Sequence, residues 1–405
     1  MTSLGARWES AFMGNYATPA LALARGEGVR VWDDEGREYV DCIAGIAVSI
    51  LGHGHPAVVE AVSRQIATLA HTSNLVANLP ALSLAERLRD LVGSPGARVF
   101  LCNSGSEANE AALKVVRKHW AGARTQVVST LGGFHGRTAG ALSLTGQEAK
   151  RAPFAPLLPG IDFVPFGDVA ALTAAITDQT AAVFLEPVQG ESGVVPAPPG
   201  YLEAARAACD ATGALLVLDE IQGAMGRTGA FFAHQSIAPG VRPDILTMAK
   251  GLGGGLPIGA CVAVGAPARA LQPGDHGSTF GGNPVACAAA LAVLDVVEQD
   301  NLAANSAAMG ERLADGVRGL RAALVREVRG LGLWRAVVLK APVAAAVEQA
   351  ARDAGLLVNA VKPDVLRLAP ALVIRAPEVD AAVTALGTAV GIALGTGLRI
   401  AEKGS

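Results

Sequence analysis

The 405-residue chain has few aromatic residues, 4% of the total, and little charge, 17%. Set against 51% hydrophobic residues, that composition describes a chain able to bury a large core, not a disordered one. Neither sign of charge dominates, since 33 basic residues stand against 36 acidic ones for a formal net charge of -3. This balance excludes a global basic field for nucleic acid or for an anionic membrane and leaves small-molecule substrates as the expected partners. Cysteine is scarce and scattered. Cys42, Cys102, Cys209, Cys261 and Cys287 form no Cys-x-x-Cys, which argues against a disulfide framework and a zinc site and suits a reducing cytoplasm. No basic segment followed by an apolar core opens the chain, so no secretory signal is expected. Three catalytic signatures are absent as well. There is no Gly-x-Ser-x-Gly elbow and no P-loop, and the nearest approach to a dinucleotide fingerprint, at 224–229, begins with alanine.

What is present is a repeating order. From about residue 98, short apolar runs at 99–102, 127–129, 182–185, 215–218, 245–248 and 261–264 alternate with helical stretches, as in an α/β domain with a mostly parallel, buried sheet. Before it, strands are expected at 29–32 and 38–40 behind an irregular arm containing Tyr16. After it, helices at 302–325, 342–354 and 377–396 alternate with β-rich runs, the pattern of a small α+β domain. The expected division is 1–55 for the arm and part of a small domain, 56–290 for a large domain, and 291–405 for the rest of the small domain. Two segments invite other readings. His53 and His55 in Gly52-His-Gly-His-Pro56 have no matching carboxylate or cysteine, so a turn before a helix at 56–69 is expected in place of a metal site. The uncharged run 381–398 approaches bilayer length, but Val383, Leu386, Val390 and Leu394 recur at helical spacing and point to a packed helix.

In parallel sheets the ligand sits beyond the carboxyl ends of the strands. The first run is followed by Asn103-Ser-Gly105-Ser106-Glu107, a glycine turn opening a helix; it is either an ordinary capped helix or a phosphate site. The second is followed by Phe134-His-Gly-Arg137-Thr138, a ring able to stack on a flat group beside a guanidinium able to clamp a carboxylate. Glu186 and Glu191 follow the third. The fourth delivers Asp219-Glu220-Ile221-Gln222 at a buried strand tip, where a carboxylate is costly unless it meets a cation such as a protonated pyridine nitrogen, or caps a loop. The fifth ends in Lys250 and a string of glycines, which is either a surface lysine before a flexible loop or a nucleophile to which backbone and ligand can come close. Ser278 and Thr279 lie in a glycine-rich loop whose hydroxyls could reach a phosphate. Arg367 stands among apolar residues and calls for an anionic partner.

Together, Leu51-Gly-His-Gly-His-Pro56, His71-Thr-Ser-Asn74, the 103–110 and 134–138 motifs, Glu186-Pro-Val-Gln-Gly-Glu191, Asp219-Glu-Ile-Gln222, Gly226-Arg-Thr-Gly229, Ala249-Lys-Gly-Leu-Gly-Gly-Gly255 and the 276–284 loop resemble the class III aminotransferases, which use pyridoxal 5'-phosphate. The resemblance runs along nearly the whole chain. It implies a fold-type I transferase, a large α/β/α domain plus a small α+β domain, working as a homodimer with shared active sites. It implies that Lys250 binds the cofactor aldehyde and Asp219 the pyridine nitrogen, that Phe134 stacks on the ring with Glu220, Ile221 and Gln222 beside it, and that Gly105 and Ser106 bind phosphate. Thr279 would reach the phosphate of the neighbouring subunit. Arg137, with Ser278 nearby, would hold the substrate α-carboxylate, Tyr16 being a further candidate contact, and Glu191 with Arg367 would form a gate for a second carboxylate. The implied reaction moves the δ-amino group of acetylornithine to 2-oxoglutarate. The alternatives are another ω-amine donor (ornithine, succinylornithine, 4-aminobutyrate or a carrier-linked lysine precursor) or a non-catalytic binding protein. Leu75-Val76 and Gly223-Ala-Met225 depart from the family's common pattern.

Overall fold

The computed structural model describes residues 4–320 and 322–403. After a short helix, Leu4–Ala11, come β1 (Leu23–Glu27), β2 (Arg30–Asp33) and β3 (Glu38–Asp41), an antiparallel run. The turn between β2 and β3 is built on Asp33, whose carboxylate accepts from Glu35 N, Arg37 N and Tyr39 Oη at 3.1, 2.8 and 2.7 Å. β1 was not expected, because its largely exposed residues show no apolar alternation.

The central body contains β4 (Arg98–Cys102), β5 (Gln126–Thr130), β6 (Ile161–Val164), β7 (Thr180–Leu185), a short hairpin of β8 (Val188–Gln189) and β9 (Val195–Pro196), then β10 (Leu215–Asp219), β11 (Ile245–Met248) and β12 (Gly259–Ala263). Seven of these form one sheet in the order β4-β12-β11-β10-β7-β5-β6, in which β12 alone runs antiparallel to its neighbours. Every residue of β7, β10, β11 and β12 is buried, as befits a sheet covered on both faces. Alternation sorts their side chains into two layers. Phe184, Val217 and Ile245 pack with Ala111, Val115 and Val116 of the helix Gly105–Trp120, while Val183, Leu216 and Leu218 join the larger core on the other side.

The helix Pro284–Gln299 leads out of this body, its start fixed by Pro284 and by the Asn283 side chain accepting from Val285 N and Ala286 N. Beyond it β13 (Val325–Leu331), β14 (Trp334–Leu339), β16 (Asn359–Lys362) and β17 (Val365–Leu368) form an antiparallel sheet in the order β13-β14-β17-β16. β15 (Leu356–Leu357) instead joins β3 in parallel. We propose on this ground that residues 1–55 belong partly with the small domain, the large domain being 56–290 and the remainder 291–405.

The last helix, Ala376–Lys403, is long and apolar enough over 376–394 to cross a membrane by length and composition. Val379, Ala382, Leu386, Ala389 and Val390 nevertheless bury a stripe of it in the core, with Val383 half-buried and Leu394 exposed. His53 Nε2 pairs with Asp41 Oδ2 at 2.9 Å, and among the described residues no group of three or more His, Cys, Asp or Glu side chains is placed to hold a metal ion.

Candidate active site

The carboxyl ends of the parallel strands surround a cavity of about 330 Å³, lined by Gly105, Ser106, Phe134, Asp219, Gln222 and Lys250 among others. Asp219, the last residue of β10, enters it with its acceptors well supplied. Oδ2 accepts from Asn109 Nδ2 at 2.8 Å and from His135 Nδ1 at 2.7 Å, and Oδ1 accepts from Ile221 N at 3.0 Å. Asn109 is itself oriented, since its Oδ1 accepts from Thr247 Oγ1 of β11 at 2.9 Å. Burial alone would pull the His135 pKa down, but the hydrogen bond and charge of Asp219, with the charge of Glu186, raise it above its ordinary value. A buried imidazolium is thus favoured behind Asp219, and the pair faces the cavity as a fixed carboxylate. Asn109, His135 and Thr247 were not singled out in the sequence. They come from three separate segments, and only the position of His135 beside Phe134 hinted at it.

Lys250 lies one residue, Ala249, beyond β11 and starts a short 3-10 turn through Gly253. Its own φ is +44°, a conformation that a non-glycine residue adopts at a cost of about 1–3 kcal/mol and that clusters at functional sites. Glycine follows it for lack of room: a Cβ on Gly251 would come within 2.9 Å of Ile50. Burial, with the nearby Arg367 charge, brings the Lys250 pKa down to about 8. The neutral amine is thus easier to reach near neutrality than in an ordinary lysine, and the surface-loop alternative does not fit its place in the cavity.

The opposite wall is the start of the helix Gly105–Trp120. Ser104 Oγ accepts from Glu107 N at 3.2 Å, whereas the Gly105 and Ser106 amides have no preceding carbonyl within the helix to bond. Ser106 Oγ accepts from Arg137 N at 3.1 Å, drawing the 134–138 loop onto the helix. Gly136 makes this possible, for its φ is +140° and a Cβ there would meet Ser106 Oγ at 2.4 Å. Free amides at a helix start, a stackable ring at Phe134, a carboxylate at Asp219 and a low-pKa amine at Lys250 around one cavity fit an aromatic aldehyde phosphate.

The cavity is bordered by a strained turn. Ala44, Gly45, Ile46 and Ala47 all have left-handed φ, at +47°, +63°, +68° and +60°. Asp41 offsets part of this cost by accepting from Ile43 N and Ala44 N, and Val48 then reaches the cavity wall. On the same side Arg367 of β17 donates from Nη1 to Glu191 Oε1 at 2.5 Å and to Gln222 Oε1 at 3.1 Å, and from Nη2 to Asn359 Oδ1 at 2.7 Å. Burial would push the Glu191 carboxyl up, but the Arg367 charge and hydrogen bond hold it below its ordinary value.

Other residues lie elsewhere. Glu220 is turned away from the cavity: its oxygens accept from Ala233 N, His234 N and His234 Nδ1, so its carboxylate caps the helix Ala233–Ile237 and does not reach toward a ligand. Arg137 is exposed with its Cζ 5.8 Å from the Phe134 centroid. Ser278 Oγ accepts from Asn103 Nδ2 and Gly281 N, a tie behind the cavity wall. Thr279 is exposed and Tyr16 is 70% exposed, and neither lines this cavity. Leu75 and Val76 are also exposed, and Ala224 is buried beneath the site.

A family model described as aminotransferase class-III matches residues 12–390. The acetylornithine aminotransferase of Mycolicibacterium smegmatis is 57% identical over 384 residues, covering 95% of this chain and 97% of that one. That of Streptomyces coelicolor is 57% identical over 94% and 93% of the two chains. Among solved structures, the ornithine aminotransferase of Toxoplasma gondii superposes with a TM-score of 0.90 at 34% identity, covering 98% and 94%. An ω-transaminase of Pseudomonas jessenii in complex with PMP gives 0.91 at 28% identity, covering 97% and 98%. A strand-end carboxylate, a low-pKa lysine and open helix amides around one cavity thus occur in a chain that belongs to the class-III aminotransferases.

Proposed function

We infer that this chain transfers the δ-amino group of N2-acetyl-L-ornithine to 2-oxoglutarate, giving N-acetyl-L-glutamate 5-semialdehyde and L-glutamate in arginine biosynthesis. The observation that carries this reading is the Glu191–Arg367 pair, which is joined through Gln222 to the cavity that holds Lys250 and Asp219. Two substrates use this site in turn, one with a single carboxylate and one with two, and an ion pair that opens only for the second carboxylate serves both. Pyridoxal phosphate, the cofactor, supplies an aldehyde and a ring that takes up the electron pair left when the substrate carbon loses its proton.

The protein residues then have separable tasks. Gly105 and Ser106 would offer their amides to the phosphate, and Phe134 and Ile221, which line the same cavity, would hold the ring. The Asp219 carboxylate, fixed at Oδ2 by donation from Asn109 and His135, would hold a proton on the ring nitrogen. Lys250 Nζ, partly neutral near pH 8, would take the proton from the substrate carbon and deliver it to the cofactor carbon across the intervening nitrogen. Arg137 holds the α-carboxylate of either substrate at the mouth, with Ser278 and Tyr16 as candidate neighbours. Thr279 belongs to the site of a second copy, consistent with its exposure away from its own cavity, so the working unit is a homodimer. We place the enzyme in the cytoplasm, in keeping with five free, buried cysteines.

The test is a substrate panel on the purified enzyme with 2-oxoglutarate as acceptor. Acetylornithine should exceed free ornithine, succinylornithine and 4-aminobutyrate in kcat/KM. Little preference for the acetylated amine would instead assign another ω-amine donor, and no turnover with any amine would leave only a binding role.

A further inference from the structure

Lys150 is a half-buried cation that the reaction as described leaves unused. Its Nζ donates to Gln147 Oε1 and lies 5.3 Å from the Phe134 centroid, while Arg137 approaches the same ring at 5.8 Å. Among the described residues no carboxylate stands at ion-pair distance from it. Burial lowers its pKa, Glu191 acts against that fall, and Arg137 and Lys362 add to it. The ammonium therefore sits in the field of Glu191 without being paired to it.

The segments carrying the two side chains are tied together. Gln147 Nε2 and Ser192 Oγ both donate to Gly132 O, at 2.9 and 2.8 Å, so the partner of Lys150 and the neighbour of Glu191 share one acceptor. The turn that carries Glu191 is fixed in its backbone. Gly193 N and Val194 N both bond Gly190 O, and Gly193 O accepts from Arg329 Nε and Nη2 at 3.0 and 2.9 Å. A Cβ on Gly190 would meet the Trp334 ring at 2.7 Å, so that end of the turn cannot shift freely. What can move is the Glu191 side chain, which is 24% accessible.

Arg367 already donates to Glu191, Gln222 and Asn359. A dicarboxylate can take this guanidinium only by displacing Glu191, and the displaced anion then shares a partly desolvated cavity with the ligand's own charge. Arg137 is engaged with the other carboxylate of that ligand. We propose that Lys150 is the counter-ion that receives Glu191 when a dicarboxylate takes its place on Arg367, so that Lys150 sets affinity for the acidic co-substrate and not for the amine donor. This rests on the reading of Glu191 and Arg367 as a gate.

The test uses the holoenzyme and glutarate, an inert dicarboxylate, titrated by calorimetry alongside steady-state kinetics. Lys150→Met should weaken glutarate binding and raise the KM for 2-oxoglutarate by about tenfold, the scale of a close charge pair, and leave the KM for acetylornithine within about twofold. Lys150→Arg should restore glutarate affinity. With Glu191→Gln in the background, where no charge has to be received, Lys150→Met should change glutarate affinity by less than about twofold. An equal loss in both backgrounds overturns the proposal, because Lys150 would then hold the ligand itself, and no loss in either overturns it too. Arg367→Gln reports on the gate separately. Glutarate affinity lost there but kept in Lys150→Met removes only Lys150, whereas affinity kept in Arg367→Gln removes the gate as well.

Discussion

Replacing Asp219 by Asn takes one negative charge from a place where three donors converge. Oδ2 accepts from Asn109 and His135, and Oδ1 from Ile221 N. An asparagine can turn its oxygen to one side only, so at least one donor is left facing an NH2 group. A hydrogen bond to a charged group is worth about 1.5–3 kcal/mol, and stripping the partner from a buried ion costs about 3–5 kcal/mol. We expect Asp219→Asn to lose about 3 kcal/mol of stability, read from the urea midpoint of the apoenzyme. The pH dependence of that loss identifies its source. Despite the downward pull of burial, Asp219 and Glu186 raise the folded-state pKa of His135 above its ordinary 6.5. A group raised on folding contributes its stability in full below the unfolded value and loses it as pH climbs through the folded one. The gap between wild type and variant should therefore be widest below pH 6.5 and narrow at higher pH. Turnover should fall about 200-fold, which is about 3 kcal/mol of lost transition-state stabilisation at 1.36 kcal/mol per decade. Stopped-flow measurement of the acetylornithine half-reaction supplies this number. A stability gap that stays constant across pH, or turnover within a few-fold of wild type, would refute the reasoning.

Arg137→Ala should raise the KM for acetylornithine and for 2-oxoglutarate together, by about tenfold each for the loss of a charge-assisted pair, and an unchanged pair of values would remove Arg137 from the site. Arg367→Ala should impair the glutamate half-reaction more than the acetylornithine one, as single-turnover rates for the two halves will report; an equal loss counts against the gate. The rate at which the apoenzyme captures pyridoxal phosphate through Lys250 should rise with pH through about 8, since the neutral amine is the reactive form, and a profile centred near the ordinary lysine value would contradict the burial argument. Mixing inactive Lys250→Ala and Thr279→Ala enzymes under subunit exchange should regain about a quarter of wild-type sites if Thr279 serves the neighbouring subunit, and none if it serves its own.

The sheet could be read from the sequence where strands are buried on both faces. Leu215-Leu-Val-Leu218 and Ala182-Val-Phe-Leu185 are continuous apolar runs, and all their residues lie in the core. Ile161–Val164 escaped because it is an edge strand with Asp162 exposed, and Leu23–Glu27 because four of its five residues face solvent. Within the site, each strand-end residue followed from topology alone, because a parallel sheet brings its carboxyl ends to one side. The contacts among those residues did not follow. Asn109 and His135 meet Asp219 across 110 and 84 residues, Thr247 meets Asn109 across 138, and nothing local marks such meetings. Glu191 and Arg367 were paired by family resemblance, since a separation of 176 residues carries no physical signal in one sequence.

Asp219 and Glu220 show most clearly what spacing leaves undecided. Both are buried carboxylates at the end of one strand, and each faces a histidine, His135 at 2.7 Å and His234 at 2.8 Å. Composition and position in the chain do not tell them apart. Strand alternation does, because successive side chains leave opposite faces of the sheet. Glu220 consequently meets the amides of Ala233 and His234, where its charge is absorbed by a helix start, and no acceptor is left to offer a ligand. Asp219 leaves on the cavity side and lines the open space together with its donor residues His135 and Ile221. Both groups are well supplied with donors, but only Asp219 lines the cavity that a ligand would occupy. We propose Asp219 as the catalytic carboxylate on that placement.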